Sequence, residues 1–235
     1  MRVAIVENCD GTAHGQMGVA LHEDDAFIDV LRPYKGVTLP EDFSAYDGVV
    51  VFGGPQSARS DAAHPYLGGL ADKMRRAVEA GQPVMGICLG AQLLARGFGA
   101  ENWLDHRREF GWTSVTPTET ATSDPLIGAL PAGYAPFQWH SDSFALPEGA
   151  RHLASGGAVA HQAFRIGRAG YGCQFHFEAS RAVVLDWARD HAPTIDAIAP
   201  EGWRARAIAE ADQHAAQADA AGLALARRFV ALLRG

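Results

Sequence analysis

The stretch PVMGICLGAQLLA, residues 83–95, decides the fold. Its first half, Pro83 to Ile87, is a short apolar run of the kind found in strands covered on both faces. Its second half, Ala91 to Ala95, is built of good helix formers. No turn separates them: strand passes into helix through Gly86-x-Cys88-x-Gly90. This is the glycine spacing of a nucleophile elbow, where close packing on both sides of a sharp bend admits only small residues and the side chain between them is pushed out over the sheet.

Upstream, RVAIVEN at 2–8 and YDGVVVFGGP at 46–55 are continuous β-branched runs ended by turn residues, so they too read as buried strands of a parallel sheet. Between the second run and the elbow lies PYLGGLADKMRRAVEA, 65–80. Pro65 suits a first helical position, and Leu67, Leu70, Met74, Ala77 and Val78 fall on one stripe before Gly81 stops the helix. Strand, helix and strand therefore alternate as in a right-handed crossover, and the fold class is α/β with a mostly parallel central sheet flanked by helices.

Downstream, FGWTSVTP (110–117) and YAPFQWHSDSFALP (134–147) predict shorter strands of mixed polarity. In AFRIGRAGYGCQFHFE, Gly167 to Gly170 separates two strand-like runs, a hairpin signature. From about 180 the chain is Ala-rich and helical, anchored by Trp187, Trp203, Leu223, Phe229 and Leu232. With no repeat or linker, residues 1–235 read as one domain carrying a helical C-terminal extension from about 193.

Composition narrows the function. Hydrophobic residues at 48% and charged residues at 20% belong to a globular chain with a real core. A net charge of −7 without a Lys/Arg block argues against a nucleic-acid surface. Three cysteines, Cys9, Cys88 and Cys173, do not form a disulfide framework, so a reducing cytoplasm is the expected location. The apolar run at the N-terminus stops at Glu7, far short of a membrane span. No Gly-x-x-x-x-Gly-Lys-Ser/Thr loop, Cys-x-x-Cys or His-Glu-x-x-His occurs, so neither a cofactor nor a metal is expected.

The elbow makes Cys88 the candidate nucleophile, because a helix starting near Leu89 points its unpaired N–H groups at the sulfur and favours the thiolate. A nucleophile needs a base and a group to orient it. CQFHFEAS supplies His176 and Glu178 two positions apart, on one face if the backbone is extended. Acyl transfer also needs donors for an oxyanion. VFGGPQS offers Gly53 or Gly54, since Pro55 has no N–H, and Leu89 N–H would be the second donor. WHSD presents His140 and Asp142 at the same spacing as His176 and Glu178, which makes Cys88-His140-Asp142 a rival triad.

Taken together, GICLGAQLLA, FGGPQS and QFHFE resemble the motifs of the class I glutamine amidotransferases of the Cys-His-Glu type, and the similarity covers most of residues 1–192. REFGWTSV and FQWHSDSF are similar to segments of its free-standing bacterial members. The resemblance implies a flavodoxin-like fold, Cys88 as nucleophile, His176 as base, Glu178 as its partner, Gly54 and Leu89 as oxyanion donors, and Gln92 in contact with substrate, with His140 lining the pocket. Phe177 departs from the pattern: many members carry proline there, and its absence puts the rigidity of the loop in question. The expected activity is hydrolysis of the glutamine side-chain amide through a Cys thioester, releasing glutamate and ammonia, with a separate synthetase as possible partner. The rival expectations are a γ-glutamyl peptidase or hydrolase with the same triad, and a relative that binds a ligand or partner without turnover.

Overall fold

The computed structural model describes residues 1–234. The N-terminal half runs β1 (Arg2–Val6), α1 (Gly15–Glu23), β2 (Phe27–Leu31), β3 (Gly48–Val51), α2 (Tyr66–Glu79), β4 (Val84–Ile87) and α3 (Leu89–Gly97). There follow β5 (Asn102–Trp103), β6 (Glu109–Trp112), β7 (Val115–Pro117), β8 (Phe137–His140), β9 (Ser143–Phe144), β10 (Arg151–Gly156), β11 (Ala163–Ile166) and β12 (Gly170–Cys173). The helices α4 (Arg181–Asp190), α5 (Ala192–Ile198) and α6 (Trp203–Leu232) come last.

The main sheet has eight strands in the order β2-β1-β3-β4-β12-β11-β10-β7. Strands β2, β1, β3, β4 and β12 are mutually parallel. β11, β10 and β7 extend the sheet in antiparallel fashion. The β11–β12 hairpin turns at the expected Gly167–Gly170 segment, with Ile166 opposite Gly170.

Residue parity explains why the parallel strands are apolar throughout. Val3, Ile5, Val50, Met85 and Tyr171 face a layer made with α1 and α6, and Ala4, Val6, Val49, Val51 and Val84 face a layer made with α2 and α3. The α2 stripe of Leu67, Leu70, Met74, Ala77 and Val78 is buried as its spacing predicts. Burying each of its large side chains contributes roughly 1.5–3 kcal/mol. Pro65 sits one residue earlier than expected, at the N-cap, and Gly81 takes a φ of 81° just past the helix.

The Ala-rich segment forms a 30-residue helix, α6, lying against α1 and α4. Its small residues allow this closeness: a Cβ at Gly222 would stand 2.1 Å from the Phe177 carbonyl oxygen. Leu225, Ala226, Phe229 and Val230 belong to the same core cluster as β1 and β4. Among the described residues no helix is long and apolar enough to cross a membrane.

The chain leaves β1 for β2 on one side and then returns for β3 on the other, so the sheet order reverses at β1. In open α/β sheets the crevice beyond the strand C-termini at such a point is where ligands bind. The segments after β1, β3 and β4 all open onto one cavity there.

Candidate functional site

The elbow is built as its glycines require. Cys88 follows β4, caps α3 and has φ 53° and ψ −108°, a strained conformation for a residue with a side chain. A Cβ on Gly86 would come 2.3 Å from the Gly90 carbonyl oxygen, and one on Gly90 would come 2.0 Å from that of Val51. Both contacts are with backbone that cannot move aside. The bend therefore presents Cys88 at the cavity floor, and as the first residue of α3 Leu89 has an N–H with no intrahelical acceptor.

His176 and Glu178 meet, by a route other than the expected one. β12 ends at Cys173, His176 makes an isolated bridge to Phe137, and the chain then turns, with Ala179 N–H donating to the His176 carbonyl at 3.4 Å. The turn, not an extended pleat, brings Glu178 back to the ring. His176 Nδ1 donates to Glu178 Oε1 at 2.7 Å, and both side chains are buried. The remaining ring nitrogen, Nε2, makes no hydrogen bond among the described residues, and the Cys88 thiol, which donates to the Trp139 carbonyl at 3.8 Å, stands beside the ring at the end of β3. Burial by itself disfavours the imidazolium, but the Glu178 carboxylate and the Cys88 sulfur outweigh it and raise the His176 pKa to about 10.

Phe177 takes over the duty that proline would have in holding this turn. Its side chain is in the core, Gln16 N–H donates to the Glu178 carbonyl at 2.9 Å, and α6 closes on the Phe177 carbonyl at Gly222. Gly15 is as tightly placed, since a Cβ there would lie 1.9 Å from the Glu178 carbonyl oxygen. The loop is pinned from two helices.

The end of β3 runs beside the pair. A Cβ on Gly53 would stand 3.2 Å from His176 Cε1 and 3.3 Å from Cys88 Cβ, and one on Gly54 would stand 3.3 Å from Leu89 Cδ2. Gly53 thus lies beside the Cys88 sulfur and Gly54 beside the Leu89 side chain. Gln92 also lines the cavity, with its amide nitrogen 3.2 Å from both the Asp142 carbonyl and Gln174 Oε1.

The rival pair comes apart. Asp142 gives His140 only its backbone carbonyl, 3.1 Å from Nδ1, while its carboxylate accepts from Asp105 N–H at 2.8 Å. The carboxylate beside His140 is Glu109, whose Oε2 is 3.1 Å from Nε2 and also accepts from Gln162 at 2.6 Å. Both nitrogens of His140 are therefore occupied, and neither is free for a thiol.

Glu109 escaped the sequence reading, although a signal existed. EFGW and FQWH pair antiparallel with Glu109 opposite His140, and their aromatic patterns match in that register. Cys9, early in the loop between β1 and α1, lines the cavity and was likewise unforeseen. Its thiol is pushed up by burial, only partly offset by the Thr12 hydroxyl, and burial raises that of the enclosed Cys173 further still. The cavity holds about 540 Å³, and its outer wall comes from Trp139, Trp187, His191, Thr194 and Ile198.

The family model for Glutamine amidotransferase class-I matches residues 20–183. The chain belongs to the class I glutamine amidotransferase family. It is 35% identical over 150 residues to the glutamine amidotransferase-like protein YfeJ of Salmonella typhimurium, a match covering 63% of each chain. It is 31% identical over 183 residues to one subunit of the glutamine-hydrolyzing GMP synthase of Methanoregula boonei, covering 74% of this chain and 90% of that one. The aligned part is only 27% of the length of a full GMP synthase among the relatives. Among solved structures, a glutamine amidotransferase from Methylobacillus flagellatus superposes with a TM-score of 0.88 at 25% identity, over 98% of this chain and 94% of that one. The strand order of the parallel part and these neighbours agree on a flavodoxin-like class I amidotransferase fold.

Proposed function

We propose that this amidotransferase domain hydrolyses the side-chain amide of glutamine by a Cys88 thioester. One observation carries the reading: Cys88 sits on a strained elbow beside an imidazole that spends its other nitrogen on a buried carboxylate. Cys88 Sγ attacks the amide carbon while His176, its pKa raised to about 10, carries the proton of the pair. The oxyanion is met by the N–H groups of Gly54 and Leu89. The raised His176 pKa keeps the proton on the ring until the C–N bond breaks and the nitrogen leaves with it as ammonia. Water, deprotonated by the now neutral ring, then attacks the thioester and releases glutamate. Glu178 holds the ring in the required tautomer throughout. Gln92 and His140 belong to the wall against which the glutamyl portion rests, and residues 1–235 act as one domain.

The names of the GMP synthase relatives, one of which is a separate subunit, support an acceptor on another protein: the ammonia would be taken up by a synthetase partner. Glutamate release from glutamine by the purified chain tests the reading, with Cys88→Ala as the control. The variant is expected to stay folded and to lose activity entirely. Undiminished release would mean that another group does the chemistry.

A further inference from the structure

The proposed thioester chemistry fixes directions inside the cavity, and a further reading rests on it. With the oxyanion turned to Gly54 and Leu89, the leaving nitrogen faces His176, the group that protonates it. Anything attached to that nitrogen must pass beyond His176. What lies there is aromatic: Trp187 packs edge-on against the His176 ring at 5.2 Å between centroids, and Trp139 stands 5.3 Å from Trp187. His191 lies 5.7 Å from Trp139, and Thr194 and Ile198, three and seven positions further along the chain, also line the cavity. Ammonia has no use for such a surface.

The volume points the same way. About 540 Å³ is within the range of pockets that take drug-sized ligands, well beyond the needs of one amino acid. Trp139, Trp187 and Ile198 are the large apolar side chains that the second half of the chain brings to this lining.

We propose that the wall formed by Trp139, Trp187 and Ile198 is a leaving-group subsite, and that the chain accepts N-substituted γ-glutamyl amides whose amine carries an uncharged aromatic or apolar group. The step balances without a co-reactant. The Cys88 S–C bond forms as the C–N bond breaks, the amine departs with the His176 proton, and water cleaves the thioester to glutamate and thiol. Glutamine is then the smallest member of the substrate class.

The test compares γ-glutamylbenzylamide with γ-glutamylmethylamide, two alkylamine conjugates that differ mainly in the ring, using purified protein and measuring glutamate release. The benzylamide is expected to have a kcat/KM about tenfold or more above that of the methylamide, the scale on which an apolar pocket discriminates. Ile198→Asp, on the wall but away from the reacting atoms, is expected to pull that ratio toward one. Equal kcat/KM for the two amides, or a ratio that Ile198→Asp leaves untouched, overturns the subsite. The thioester reading is judged separately, by labelling of Cys88 with a glutamine-analogue diazoketone: labelling together with equal rates removes the subsite alone, and an unlabelled Cys88 with no hydrolysis of either amide removes both.

Discussion

Two buried histidine–glutamate pairs lie at the same cavity, His176 and Glu178 lining it with both side chains and His140 and Glu109 with the histidine alone. His176 and Glu178 are 2.7 Å apart, and His140 and Glu109 are 3.1 Å apart. Both imidazoles are almost fully enclosed, and each precedes an acidic residue by two positions. His140, however, spends Nδ1 on the Asp142 carbonyl and Nε2 on Glu109, whereas His176 spends only Nδ1. A nitrogen left free beside a thiol is what the proposed chemistry asks of His176. A histidine with two acceptors is a crosslink, here tying β6 to β8 and to the Asp142 segment that Gln92 also grips.

The largest expected effect follows directly. His176→Ala should lower kcat for glutamine hydrolysis by about a thousandfold or more, as loss of a triad member does elsewhere. His140→Ala should act chiefly on KM and leave kcat within about tenfold, because no step passes through its ring. Steady-state kinetics of the two variants decide it. If the losses in kcat are reversed or equal, the contrast between the pairs is wrong.

Next comes the carboxylate. Glu178→Gln keeps the shape of the turn and removes the charge that orients the ring. It should lower kcat by about 10²- to 10⁴-fold with the fold intact. Glu109→Gln should do the opposite. Its Oε2 receives both His140 and Gln162, so the substitution is expected to cost about 1–3 kcal/mol of stability by urea unfolding while sparing most of kcat. A Glu109→Gln protein as inactive as Glu178→Gln would place both pairs in the chemistry.

The contrast also explains what could be read without coordinates. β1, β3, β4 and α2 were legible because a strand buried on both faces is apolar throughout and a helix on one face keeps a stripe. The elbow was legible because its two glycines answer a backbone contact that no other residue survives. β2 and α1 were not. β2 is an edge strand with only partial burial, and α1 buries Gln16 and Gly18 alongside Met17 and Leu21, so neither carries a clean period. Of the site, the His176–Glu178 pair was local and readable, although its turn was not. Glu109 belongs to His140 through strand pairing across 31 positions, beyond what spacing along the chain can reach. The outer wall was hidden for a similar reason: His191 and Ile198 reach the cavity only because α4 and α5 fold back over it.

A separate effect concerns stability against pH, and it probes the state of His176 directly. The folded pKa of the ring is raised to about 10, above the unfolded value of about 6.5, since the Glu178 carboxylate and the Cys88 sulfur outweigh the burial that opposes charge. The native state therefore binds more protons than the unfolded state between these two values, and stability falls as pH rises through that window. The contribution is fully present below about 6.5 and is gone above about 10. Comparing wild type with His176→Gln by urea unfolding at intervals from pH 6 to pH 10 isolates it. The stability advantage of wild type should be greatest near pH 6 and shrink steadily toward pH 10. An advantage that stays flat over the window would mean that Glu178 does not hold the proton on His176, and the distinction between the two pairs would then rest on geometry alone.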